Sequence, residues 1–330
     1  MKNIEKLQQP DNLLEVQSIK KYFPLENNSL FKKNSRFVKA VDGVSFVVKK
    51  GETLGIVGES GCGKSTMGRT ILQLQTPTEG EVLFEGEDIS KFNRKRLREI
   101  RKDIQIIFQD PFGSLNQRMT VGAMLSEIIH VHKIVPKNEV LKYVQKLLED
   151  VGLNKEHYWR YPHEFSGGQR QRISIARALA VKPKLIICDE AVSALDVSVQ
   201  AQVLNLLKKL KYKYNLTYIF ISHDLSVVKH ISDRVGVMYL GKVVELANKK
   251  AMYQDPKHPY TQALFSSIPD VTSVNKKERI ILKGDVPSPL NIPKGCRFHT
   301  RCPAAENICR EKEPDFRKIA NEHYVSCHLV

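Results

Sequence analysis

The chain has 330 residues, 42% of them hydrophobic, enough to bury one large core or two smaller ones. Its apolar residues come in short runs, none near the unbroken ~20-residue stretch that spans a bilayer, and Met1–Pro10 has neither an apolar core nor a small-residue cleavage site, so neither a spanning helix nor export is expected. The net charge of +16 leaves an anionic ligand, an anionic membrane surface or nucleic acid to be weighed against plain solvation of Lys and Arg.

Leu13–Ile19 mixes apolar and polar residues as a strand does, followed by Lys20-Lys21-Tyr22-Phe23-Pro24. A polar loop around Asn27–Arg36 leads to Val41–Val48, which alternates like a second strand. Thr53–Val57 is a continuous apolar run of the kind found in a buried parallel strand. It runs directly into Gly58-Glu59-Ser60-Gly61-Cys62-Gly63-Lys64-Ser65, and Thr66–Gln75 then carries apolar residues at helical spacing. Strand, glycine-rich loop and helix form the setting of a phosphate-binding loop. Glycines let the backbone approach phosphates closely, while the loop N–H groups and the positive helix end face the anion. Lys64 can reach the β- and γ-phosphates, Ser65 offers its hydroxyl to Mg²⁺, and Thr66 is placed near the α-phosphate. Cys62 stands at a free position of the loop, where a small side chain suffices.

Further on, Arg94–Lys102 is densely basic, with Leu97, Ile100 and Ile104 at helical intervals, so its charges are expected on one solvated face. No stacking aromatics alternate with them, which argues against a nucleic-acid groove. Pro111–Asn116 reads as a loop and Val140–Val151 as a helix. Ser166-Gly167-Gly168-Gln169 precedes a helical pattern and makes a second anion-binding surface. Leu185–Cys188 is another buried-strand run ending in Asp189-Glu190, where Asp189 can hold the magnesium shell and Glu190 can point at an attacking water. Tyr218–Ile221 is a strand that leads to Ser222-His223-Asp224.

Phosphate loop, Ser-Gly-Gly-Gln, acidic pair and histidine, in this order, resemble the ATP-binding subunit of an ABC transporter over roughly the first three quarters of the chain. The resemblance implies an α/β fold: a P-loop ATPase with a RecA-like core, an antiparallel β subdomain and a helical subdomain. It also implies roles residue by residue. Gln109 would sense magnesium, His223 would contact the γ-phosphate, and Asp196 would lie in the loop that addresses the opposite subunit. Phe23 would stack on adenine, with Tyr22 as the fallback. The signature Ser166, Gly167, Gly168 and Gln169 would close over ATP held by Gly58, Ser60, Gly61, Gly63 and Lys64 of another subunit, in a head-to-tail dimer. Ala191 stands where the family often has proline, and Phe165 where leucine is usual.

Past about Ala247, eight prolines crowd a tail expected to be extended and loop-rich. His258–Leu264 and Gly284–Pro289 resemble the C-terminal extension of dipeptide and oligopeptide importer ATPases, closest to the F-type subunit. The expected division is an ATPase domain over 1–250, with its helical subdomain at about 111–180, and an extension over 251–330. Cys296, Cys302, Cys309 and Cys327 are spaced C-x5-C-x6-C-x17-C, without the C-x2-C pairs of common zinc modules. Four thiolates in a weakly apolar segment suggest a metal staple. The resemblance points to a [4Fe–4S] cluster, with zinc or unliganded buried thiols as alternatives. It further implies a peripheral subunit on the cytoplasmic face of the membrane. Its expected partners are a paralogous ATPase, two membrane permeases and an extracytoplasmic binding protein. The competing class is a soluble ABC-type ATPase acting on nucleic acid or the ribosome. Among importers, nickel chelates or other small solutes stand beside peptides as substrates.

Overall fold

A computed structural model describes residues 11–25, 36–267 and 280–330. Met1–Pro10, most of the loop expected around Asn27–Arg36, and Pro269 lie outside them. The chain divides into two compact units, one within Met1–Lys49, Leu54–Lys91 and His223–Val330, the other within Lys50–Thr53 and Phe92–Ser222.

The first unit opens with β1 (Asn12–Pro24) and β2 (Phe37–Lys49), paired antiparallel. Lys20–Pro24 therefore continues the first strand. Val44, Phe46 and Val48 are buried at the two-residue period of a half-buried strand. Every residue of β3 (Thr53–Val57) is buried, as its unbroken apolar run predicts. After the glycine-rich loop comes α1 (Lys64–Ile71), which buries Met67 and Ile71. Next, β4 (Glu79–Phe84) pairs with β1, and β5 (Glu87–Asp88) completes an antiparallel sheet of order β2-β1-β4-β5.

The second unit begins with the basic run. Helix α2 (Arg94–Ile100) buries no residue, so its charges are solvated. Ile104, expected on that helix, instead starts the strand β6 (Ile104–Ile107), because the helix stops four residues earlier. Where a loop was expected, Pro111–Ser114 forms one helical turn, α3, capped by the Asp110 carboxylate. A helical layer follows: α4 (Val121–His132), α5 (Val140–Asp150) and α6 (Gly167–Leu179). Val121, Leu125 and Ile129 of α4, and Val144 and Leu148 of α5, are wholly buried. The remaining elements are β7 (Leu185–Asp189), α7 (Val197–Tyr214) and β8 (Thr217–Ile221). Strands β6, β7 and β8 pair in parallel, with β7 central and no exposed residue in β7 or β8. Asp150 at the end of α5 accepts from both Lys213 and the Tyr214 hydroxyl, tying α5 to the last turn of α7.

The chain then returns to the first unit with α8 (Leu225–Ile231), β9 (Arg234–Tyr239) and β10 (Lys242–Asn248). The tail adds α9 (Lys249–Gln254), α10 (Pro259–Ser266), α11 (Asn307–Glu311), β11 (Arg317–Ala320) and β12 (His323–Val325). Within this unit the strand order is β11-β12-β10-β9-β3, with β3 and β9 parallel and the others antiparallel. The tail is therefore more than a loop-rich appendage, since it extends the sheet by two strands.

Two buried features fasten the tail. Glu245, with 0% exposure in the middle of β10, accepts from the N–H groups of Lys257 (2.8 Å) and His258 (2.9 Å) and lies 2.7 Å from His323 Nε2. A buried carboxylate is tolerable only with such partners. Beside it, the rings of Tyr239, Tyr260 and Phe298 pack with centroids 4.7–5.4 Å apart, joining β9, α10 and the segment after Cys296. His258 caps α10 by accepting the Tyr260 N–H at Nδ1 (3.1 Å), and burial pushes its imidazole down to about 3. An unfolded histidine titrates near ~6.5, so between those values the unfolded chain binds the extra proton. Stability should thus be full above about pH 6.5 and fall by up to ~1.4 kcal/mol per pH unit as pH drops towards 3. Urea midpoints measured along that range should decline less in His258→Asn, which keeps a capping acceptor that does not titrate. An identical decline in both proteins would remove His258 as the responsible group.

Candidate functional site

In the first unit the glycine-rich loop leaves β3 at Val57 and enters α1 through Gly63, which has φ 106°. A Cβ at Gly63 would overlap the Ala40 carbonyl oxygen, so both the backbone angle and the space demand glycine. No side chain caps α1 and no acidic residue occupies its first turn, so the positive helix end faces the loop without a capping carboxylate of its own. Lys64 is 4% exposed and donates to the carbonyls of Gly58 (2.8 Å) and Glu59 (2.9 Å). That grip folds the loop around the lysine and holds the cation at its centre. Cys62 is buried 3.7 Å from Lys64 Nζ, and burial pushes its thiol up despite the lysine, which keeps it neutral. Ser60 and Gly61 are exposed at the loop's tip, while Ser65 and Thr66 are half-buried in the first turn of α1.

Also in this unit, Tyr22 and Phe23 close β1. The Tyr22 hydroxyl donates to Asp42, which also accepts from Arg297. Burial alone would raise the Asp42 carboxyl; the Tyr22 and Arg297 bonds outweigh it and hold it low. Tyr22 is thus engaged in a structural bond, whereas Phe23 is half-buried with Lys21 Nζ 5.1 Å from its ring centroid. Lys39 Nζ lies over the Tyr22 ring in the same way, 5.3 Å from its centroid. His223 is exposed just before α8, whose first N–H groups are capped by Asp224.

The acidic group belongs to the second unit. Asp189 ends β7 at 3% exposure. Glu190 turns the chain with φ 50°, a left-handed angle that is uncommon for a side chain bearing a Cβ and is found at functional turns. Its N–H still donates to Ile221 (3.0 Å), and Ser193 Oγ donates to its carbonyl (2.9 Å), so the turn is fixed from both sides. Gln109, exposed after β6, donates from Nε2 to Glu190 Oε2 at 3.0 Å. The structure thus brings Gln109 and Glu190 together, a pairing the sequence did not disclose because 81 residues separate them. Ala191 is buried and continues this turn without a proline.

The Ser-Gly-Gly-Gln segment starts α6 in a reciprocal cap: Ser166 Oγ accepts the Gln169 N–H, and Gln169 Oε1 accepts the Ser166 N–H at 3.1 Å. Phe165 before it is buried, edge-on to His157, and anchors the cap while Ser166 and Gly167 remain exposed. Asp196 precedes α7 on an exposed turn beside Val197, an apolar residue left 82% exposed.

In the tail, Cys309 and Cys327 are buried, Cys296 and Cys302 half-buried, and none is in a disulfide. The Cys296 N–H donates to the Cys309 carbonyl (2.8 Å). Burial raises the thiol of Cys296 to about 11 and those of Cys302 and Cys327 in the same direction, and each of these three is raised further by other cysteines of the set. Among the described residues, however, no three or more His, Cys, Asp or Glu side chains are arranged to hold a metal ion. The expected metal centre thus finds no geometric support. No helix among them is long and apolar enough to cross a membrane.

Comparison with known proteins agrees with the motifs. Residues 41–193 match the ABC transporter family, and residues 244–309 match the oligopeptide/dipeptide transporter C-terminal region. The chain is 58% identical to the oligopeptide transport ATP-binding protein AppF of Bacillus subtilis, covering 97% of this chain and 98% of that one. It is 52% identical to the oligopeptide transport ATP-binding protein OppF of Haemophilus influenzae (96% and 97% covered) and 47% identical to the dipeptide transport ATP-binding protein DppF of Escherichia coli (98% and 96%). Among solved structures, a post-hydrolysis dimer of the ATP-binding cassette MJ0796 with ADP and Pi is 28% identical, with a TM-score of 0.63 over 72% of this chain and 98% of that one. On these grounds the chain belongs to the ATP-binding subunits of the oligopeptide and dipeptide ABC transporters.

Proposed function

We propose that the protein binds and hydrolyses ATP to energise a peptide-type ABC importer through ATP-driven closure of an ATPase dimer. The observation that carries this reading is the coexistence, in one chain, of two complementary half-sites: a lysine-centred phosphate loop and an exposed, capped Ser-Gly-Gly-Gln helix start. Neither half encloses a nucleotide alone, so the signature of one subunit covers the ATP held by its partner's loop. Gly58, Ser60, Gly61, Gly63, Lys64 and Thr66 hold the phosphates, and Phe23 stacks on the base. Ser65, Gln109 and Asp189 would hold Mg²⁺, which would offset the charge of the phosphates. Glu190, steadied by Gln109, orients and deprotonates the attacking water; His223 contacts the γ-phosphate. Asp196 and the exposed Val197 face the opposite subunit. The partner ATPase is a paralogue, and the pair sits on the cytoplasmic face of the membrane beneath two permeases served by an extracytoplasmic binding protein.

For the tail, we propose that Cys296, Cys302, Cys309 and Cys327 take up a [4Fe–4S] cluster, with zinc as the alternative. What supports it is the donor chemistry, four unpaired thiols in one segment, the ordinary ligand set of such a cluster. The arrangement in the structure is not a metal-holding one, and no step of the ATPase passes through the cluster. Anaerobically purified protein should contain iron and acid-labile sulfide in equal amounts, lost in Cys309→Ser. Absence of iron, sulfide and zinc would leave the cysteines as buried thiols.

Glu190→Gln should bind ATP normally yet lose turnover by ~10²–10⁴-fold, whereas Lys64→Ala should lose nucleotide binding itself. Near-normal hydrolysis by the glutamine variant would remove Glu190 from the role of base. Affinity capture from gently solubilised host membranes should recover two permeases and a second cysteine-tailed ATPase. Recovery of ribosomal proteins or nucleic acid without permeases would overturn the transport reading while leaving the ATPase chemistry standing.

A further inference from the structure

The second residue of the glycine-rich loop, Glu59, is gripped from the tail at three points. Arg301 Nη1 and Nη2 donate to Glu59 Oε2 and Oε1 at 2.9 and 3.2 Å, a two-pronged pair in which the arginine side chain is only 9% exposed. The Glu59 backbone N–H donates to the Tyr260 hydroxyl at 3.0 Å. These partners come from separate elements, α10 and the segment between Cys296 and Cys302, 201 and 242 residues further along the chain. Arg301 is itself fixed, since its N–H donates to the carbonyl of Phe298 (3.0 Å), whose ring is packed between Tyr239 and Tyr260. A planar guanidinium matched to both carboxylate oxygens sets direction as well as charge, which an ammonium cannot do.

A carboxylate on a phosphate loop is a liability. Left unpaired, it stands on the same short segment as the groups that must attract a triphosphate, and like charges in a partly dehydrated site repel strongly. We propose that Arg301 is a positioning residue for nucleotide binding, neutralising and orienting Glu59 so that the loop stays in its lysine-centred form and the carboxylate does not repel the phosphates. The C-terminal extension is thereby a working part of the nucleotide half-site. The inference rests on the assignment of Gly58–Ser65 as the phosphate loop.

The test uses the full chain, with equilibrium binding of a fluorescent ATP analogue alongside steady-state ATPase and thermal melting. Arg301→Ala should raise Kd and KM for ATP about tenfold, the loss of one charged hydrogen-bonded pair, and leave kcat at saturating ATP within about twofold. Adding Glu59→Gln should restore most of the affinity, because the repelling charge is then gone. A purely packing role predicts no such rescue. Should Arg301→Ala yield no folded protein, Arg301→Lys, which keeps the charge without the fork, should show an intermediate rise of about threefold. Unchanged affinity in the Arg301 variants, or a loss that Glu59→Gln does not reverse, overturns the proposal. Lys64→Ala serves as the reference: if it binds ATP like the unaltered chain, the phosphate-loop assignment itself has failed, and the role of Arg301 falls with it.

Discussion

A loop that must offer its backbone N–H groups to phosphate cannot be fastened mainly by those groups. This constraint explains how the glycine-rich loop is built. Its supports fall largely on carbonyls and a side chain: Lys64 on the carbonyls of Gly58 and Glu59, the Gly241 N–H on that of Cys62, Arg301 on the Glu59 carboxylate. The rest of the first unit serves these attachments. Strand β3 is fully buried so that the loop departs from a fixed point, and β9 runs parallel to it, leading to the turn that carries Gly241. The acidic turn of the second unit is treated differently. There the side chains must be aimed, so Glu190 accepts an uncommon backbone angle and is held by Ile221, Ser193 and Gln109.

Much of this was legible in the sequence, where chemistry and chain spacing coincide. The phosphate loop, the capped signature helix and the strand ending in Asp189-Glu190 are contiguous segments whose residue types state their own geometry. Buried parallel strands were equally plain, since β3, β7 and β8 need an apolar residue on both faces. What escaped reading was non-local: the contacts of Gln109 with Glu190 and of Arg301 with Glu59 join residues far apart in the chain. Ile104 misled because an isoleucine four residues beyond Ile100 fits a helix as well as the start of a strand, and only pairing with β7 decides. The proline-rich tail concealed two strands for the same reason: β12 is three residues long and exists by virtue of β10.

The tail also bears on how charge is used. The basic helix α2 keeps its arginines and lysines in solvent. Arg297 and Arg301 do the opposite: Arg297 is buried against Asp42, and Arg301, half-buried, is paired with Glu59. Buried ion pairs add little to stability against an apolar alternative, so their value lies in fixing one arrangement among several. Both arginines lie between Cys296 and Cys302, so whatever orders those cysteines also orders the two ion pairs.

The pairing of β10 with β12 has a consequence for biosynthesis. Strand β10 is made about 80 residues before the strand that covers its edge. At ~5–20 residues per second, that edge stands open for roughly 4–16 s during translation. In this interval the apolar residues Val243, Val244 and Leu246 line a strand whose outer backbone groups have no partner, a template for pairing with another nascent chain. The finished sheet ends instead in β11, whose exposed Arg317 and Lys318 discourage such pairing.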